Sequence, residues 1–127
     1  MKLASIDIGL KRIGVAINLT GTIVTPQNAI LRKNRNQASN DVNSFLKEWE
    51  IEKLIVGFPS SSDDMQKRVK HFVQLLDLKI PYEFQEENMS SIEAEELMKG
   101  DIKYKRDGRV DSLAAKIILE RFLSKKA

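Results

Sequence analysis

A chain of 127 residues, 42% apolar and 31% charged, has the makeup of one soluble globular domain with room for a core. It has no cysteine and a single histidine, His71, which excludes disulfides, thiolate metal sites and multi-histidine zinc sites. A net charge of +3 makes a weak case for nucleic acid on its own, so where the charge sits matters more.

In chain order, residues 2–8 and 12–19 read as strands joined by a tight turn at Gly9. Alternation puts Leu3, Ser5 and Asp7 on one face of the first strand and Ala4, Ile6 and Ile8 on the other. Thr22–Ile30 reads as a third strand, and Pro26 argues for an edge position. Arg32 to Asn36 reads as a basic loop. A helix is expected from Asn40 or Asp41, with Val42, Phe45, Leu46 and Trp49 inward. Lys53–Gly57 is a continuous apolar strand of the kind buried on both faces of a parallel sheet. Phe58–Asp64 is a loop ending in N-cap residues, and the helix after it turns Met65, Val69, Phe72, Val73 and Leu76 inward. Pro81–Glu86 reads as a strand. Ser90 or Ser91 caps a short helix to about Leu97, with Glu93 completing a capping box. Lys99–Gly108 reads as a basic loop. Val110–Leu123 is the last helix, burying Val110, Leu113, Ala114, Ile117 and Ile118. Three hairpin strands followed by crossover units predict an α/β fold. Its mixed sheet is antiparallel on one side and parallel on the other. No run approaches a membrane span and no signal peptide is present, so a cytoplasmic place away from membranes is expected.

Three acidic positions stand out. Asp7 lies inside a strand, where an ionised carboxylate is costly unless something compensates it. Glu86 and Glu87 end the strand that starts near Pro81, and Asp111 opens the last helix. Each also has a plain reading: a strand-end cap, a solvated strand end, and a charge that suits the helix dipole. Converging, they would hold one or two Mg²⁺ or Mn²⁺ ions, because oxygen ligands suit those metals. Such ions activate water and stabilise the leaving oxygen of a phosphodiester. Basic residues gather near the same segments: Lys11 and Arg12 after the Asp7 turn, Arg32, Lys33 and Arg35, and Lys99, Lys103, Lys105, Arg106 and Arg109 before Asp111. That grouping suits a phosphate backbone. His71 reads as a surface or boundary residue, since no second histidine or cysteine can join it.

Several motifs carry a resemblance over nearly the whole chain. Asp7-Ile-Gly-Leu-Lys-Arg-Ile-Gly-Val-Ala16, Ile55-Val-Gly-Phe-Pro59 and Arg109-Val-Asp-Ser-Leu-Ala-Ala115 resemble the motifs of the YqgF/RuvX family of the RNase H-like superfamily. The family's D-E-R-x-[ST]-T motif falls on Glu86-Glu-Asn-Met-Ser-Ser91, where Glu86 replaces aspartate and Asn88 replaces arginine. The loop after Pro59 is short and lacks the family's usual glycine.

The resemblance implies an RNase H-like fold over residues 1–127. The sheet would have five strands, three antiparallel and two parallel, flanked by helices. It also implies Mg²⁺- or Mn²⁺-dependent nuclease chemistry at Asp7, Glu87 and Asp111, with Glu86 as a backup ligand. Nucleic-acid contacts are expected at Lys11, Arg12, Lys103, Lys105, Arg106 and Arg109. Two family roles follow, 5′-end processing of precursor 16S rRNA and resolution of branched DNA at Holliday junctions. A resolvase cuts two symmetry-related strands and should dimerise. The chain shows no dimer surface, so a monomer or weak homodimer acting on precursor rRNA is the favoured expectation. Two rivals come from other classes. One is a phosphate-binding module like the actin/Hsp70 ATPases, which need two such domains. The other is a non-catalytic nucleic-acid-binding domain, to which Asn88 lends weight.

Overall fold

A computed structural model of the protein describes residues 1–21, 23–60, 62–86 and 108–126. Its elements run β1 (Leu3–Ile8), β2 (Arg12–Asn18), β3 (Thr25–Leu31), α1 (Arg35–Glu48), β4 (Lys53–Phe58), α2 (Asp63–Leu76), β5 (Tyr82–Glu86) and α3 (Gly108–Lys126). The strands form one sheet in the order β3-β2-β1-β4-β5. The β1–β2 and β2–β3 pairs are antiparallel, and β1–β4 and β4–β5 are parallel, as the element order predicts. Pro26 sits on the edge strand β3, where its missing N–H costs least.

The starts of two elements differ most from the sequence reading, each for a local reason, and the last helix runs two residues earlier and three later than expected. Helix α1 begins at Arg35, not at Asn40 or Asp41. Asn34 caps it: the Gln37 N–H donates to Asn34 Oδ1 at 2.7 Å, and the Asn34 N–H donates to Gln37 Oε1 at 3.3 Å. This reciprocal pair satisfies orphan donors of the first turn and draws the supposed loop into the helix. Strand β3 begins at Thr25, not Thr22. The Asn18 side chain binds backbone groups ahead of it, accepting from the Gly21 N–H at 3.0 Å and donating to the Ile23 carbonyl at 3.2 Å. The helix expected at residues 90–97, the Glu93 capping box and the basic loop up to residue 107 lie outside the described residues.

Helices cover both faces of the sheet. On one, Ala4, Ile6 and Ile8 of β1, Ile13, Val15 and Ile17 of β2, and Leu54 and Val56 of β4 pack with Val42 and Leu46 of α1 and Val69, Phe72, Val73 and Leu76 of α2. On the other, Leu3, Ala16, Val24 and Ile55 meet Ala115, Ile118, Leu119 and Phe122 of α3. The buried arc of α3 is therefore wider than expected, and Leu113 is only half-buried. No helix among the described residues is long and apolar enough to cross a membrane.

Candidate active site

The site lies at the C-terminal end of β1, on the face that α3 covers. Leu3 and Ser5 face α3, so alternation turns Asp7 the same way. Its carboxylate is embedded in the fold, with the residue only 7% exposed. The chain then reverses at Gly9, whose N–H donates to the Arg12 carbonyl at 3.0 Å. A Cβ at Gly9 would sit 2.6 Å from that same oxygen, so this hairpin needs glycine.

Cross-strand pairing sets Gly14 of β2 opposite Asp7. A Cβ at Gly14 would run into the carbonyl oxygen of Asp111, so α3 starts in contact with the β2 backbone beside Asp7. Two hydroxyls hold that approach. Ser112 Oγ donates to the Gln27 carbonyl at 2.5 Å, and buried Ser5 Oγ donates to the Ala115 carbonyl at 2.6 Å. The Asp-Ser-x-Ala-Ala stretch is thus a docking surface as well as a carboxylate carrier. Small residues let backbones meet, and Ser112 fixes the register. The sequence reading missed this role, although the run of small residues on an otherwise bulky helix was its visible sign.

Asp111 is in the first turn of α3, with its side chain 18% exposed. Arg12 Nε donates to Asp111 Oδ2 at 3.0 Å. Arg12, expected to touch nucleic acid, is therefore already engaged with a site carboxylate. Lys11, at the turn, is exposed. Arg109 belongs to the same first turn of α3, while Lys103, Lys105 and Arg106 lie outside the described residues.

Strand β5 is not the neighbour of β1. Strand β4 stands between them, so β5 is two strand spacings away, roughly 10 Å. The registers Ile6–Val56 and Gly57–Gln85 line Asp7, Gly57 and Gln85 up across the sheet. Gln85 is buried on the α3 side, where its neighbour Glu83 pairs with Lys53 and Lys53 lies over the Phe122 ring. Glu86 takes the opposite face. It pairs in register with Phe58, whose ring is 4.9 Å from Phe84 and lies beneath Lys70 of α2. Glu86 is exposed there, away from Asp7, and as a backup ligand it is on the wrong side of the sheet. Glu87 lies outside the described residues. Among the described residues, Asp7 and Asp111 are brought together and no cluster of three acidic or histidine side chains forms.

The family model described as RuvX, Holliday junction resolvase, matches residues 1–125. This chain belongs to the RuvX family. A relative from Sulfurovum sp. (strain NBC37-1), named "Putative pre-16S rRNA nuclease", is 65% identical over 127 residues, covering 98% of this chain and 99% of the relative. A relative of the same name from Sulfurimonas denitrificans is 50% identical over 129 residues, covering 99% of each chain. The structure of T. thermophilus RuvC in complex with a Holliday junction substrate covers all of this chain and 97% of its own, with a TM-score of 0.66 at 14% identity. At that identity the likeness establishes the fold, which is RNase H-like, as the motifs imply for RuvX.

Proposed function

We propose that this chain is a divalent-metal-dependent nuclease, one domain over residues 1–127, that trims precursor 16S rRNA at its 5′ end in the cytoplasm. One observation carries the reading: a carboxylate embedded in the central strand, Asp7, set beside Asp111 across a glycine that admits the α3 backbone. Two hard oxygen donors on one face fit Mg²⁺ or Mn²⁺. Asp7 and Asp111 would hold the ion, with Glu87 as the third ligand. Bound there, the ion would activate water and stabilise the leaving oxygen. Arg12 has a separate task. It orients Asp111 and leaves that carboxylate's second oxygen for the ion. Lys11, Lys103, Lys105, Arg106 and Arg109 would contact phosphates. The names of the relatives support rRNA as substrate. Junction DNA is the second reading, supported by the family's description, and the monomer or weak homodimer expected here would have to pair to cut both strands.

The test offers purified protein precursor 16S rRNA, single-stranded RNA and a four-way DNA junction in parallel, with and without Mn²⁺. Cleavage of the precursor rRNA that needs Mn²⁺ and disappears in Asp7→Asn is the expected result. Preferred cutting of the junction would move the assignment to the second reading. Binding without cleavage of any probe would overturn the nuclease.

A further inference from the structure

The turn that follows Asp7 is held from the other side of the sheet by Arg32. Its backbone N–H donates to the Lys11 carbonyl at 2.9 Å, and its guanidinium donates to the Gly9 carbonyl at 2.9 Å. The guanidinium also lies 5.3 Å from the centre of the Phe72 ring. Two further arginines stand near it, Arg35 three residues on and Arg68 four residues before Phe72. Arg35 opens α1 and lines a hollow of about 540 Å³ with Asn34, Asn36, His71 and Leu75. Arg68 sits on α2 one turn before Phe72, exposed.

Among the described residues no carboxylate pairs with any of the three. Asp64, one turn before Arg68, makes no ion pair with it, and the first turn of α1 holds no acid. Burial, then repulsion from Arg68 and Arg35, holds the Arg32 guanidinium below its ordinary pKa. The Arg32 guanidinium thus stands near like charge with no carboxylate paired to it among the described residues, and a bound anion would offset that.

We propose that Arg32, Arg35 and Arg68 form a phosphate-backbone clamp on the α1/α2 face, gripping the nucleic acid beside the point of cleavage. Guanidinium groups bind phosphate oxygens in a bidentate fork. The three come from the end of β3 and from two helices, so a bound backbone would be held from three separate elements. Arg32 bonds to Gly9, two residues beyond Asp7, so a strand passing over the β1–β2 turn reaches both faces of the sheet. The clamp rests on the nucleic-acid substrate proposed above and adds where that substrate is held. The sequence alone hides it, because Arg68 reads as one more solvated helix residue.

The test leaves Arg32 in place, since it holds the turn, and replaces the two exposed arginines. Binding of a fluorescent single-stranded RNA and of a four-way DNA junction is measured across salt in EDTA, for wild type and for Arg35→Ala/Arg68→Ala. Two lost phosphate contacts should lower the slope of log affinity against log salt by about 1.4 on RNA and about 1.8 on duplex arms. Arg35→Lys/Arg68→Lys should restore most of the slope. Lys47→Ala/Lys79→Ala, which removes the same charge in the last turn of α1 and beyond the end of α2, should leave it unchanged. An unchanged slope in the arginine variant on both probes overturns the clamp and leaves an acidic protein as the partner of the cluster. An equal fall in the lysine control overturns it too. A lowered slope with no cleavage in the parallel assay counts against the nuclease alone, and normal cleavage with an unchanged slope counts against the clamp alone.

Discussion

The two faces of the sheet are built to different rules. The α1/α2 face is an apolar core of Ile, Val, Leu and Phe side chains. The α3 face mixes Leu3, Ala16 and Ile55 with Ser5, Asp7, Arg12 and Gly14, and its contacts are backbone approaches and hydroxyl bonds as much as apolar packing. Burial of large side chains gives free energy without fine position, whereas close backbone contact and hydrogen bonds fix position at little gain in free energy. One face therefore carries most of the stability, and the other holds two carboxylates in place. Substitutions should separate the two quantities.

Asp7→Asn is the largest expected effect on the α3 face. The change is near-isosteric and removes the charge that a cation needs. Several kcal/mol of transition-state stabilisation are at stake, so cleavage should fall by about a thousand-fold or more. The melting temperature should change little. Wild-type cleavage by a contaminant-free Asp7→Asn preparation would remove Asp7 from the site.

Phe72→Ala is the converse on the α1/α2 face. Phe72 is among the largest fully buried side chains, and truncating it should cost about 3–5 kcal/mol in a denaturant titration. The folded fraction at low temperature should cut at the wild-type rate once substrate saturates. A lowered saturating rate in fully folded protein would mean that the two faces are not independent.

Much of this was legible in advance. Strict alternation in β1, the apolar run of β4 and the helical spacing of α2 and α3 are periodic signals, and Asp7 and Asp111 stand out as charges inside or opening apolar elements. What stayed hidden was non-local. Nothing in residues 81–86 tells that their strand pairs with β4 and not with β1, and that order is what moves the end of β5 two strands from Asp7. The face of Glu86 depends on register with Phe58, which is likewise set by partners distant in sequence. The early start of α1 was different, because Asn34 and Gln37 stand at capping-box spacing and the basic, asparagine-containing run from Arg32 to Asn36 reads as a loop.

Gly14→Ala should disturb both quantities at once, because its new methyl meets the Asp111 backbone. Neither backbone can yield as a flexible side chain would, so the first turn of α3 must lift from β2. Overpacking of this kind costs about 1–3 kcal/mol. Cleavage should drop as well, since lifting Asp111 opens the carboxylate pair. Reduced stability with an intact saturating rate would show that the carboxylates tolerate a looser dock.

Ser5→Ala should be the smallest change and the sharpest probe of how α3 is positioned. Its hydroxyl is fully buried and donates to the Ala115 carbonyl at 2.6 Å. The carbonyl lies within α3, where a helical N–H can still bond to it, so no buried acceptor is orphaned. The loss should therefore be one net hydrogen bond, about 1 kcal/mol by thermal or denaturant unfolding. Docking at Gly14 and Ser112 remains, so the saturating cleavage rate should hold near wild type. A marked fall in rate with that small stability loss would mean that this one hydroxyl sets the height of Asp111 above the sheet. The precision of the α3 face would then rest on a single bond four residues from the carboxylate it places.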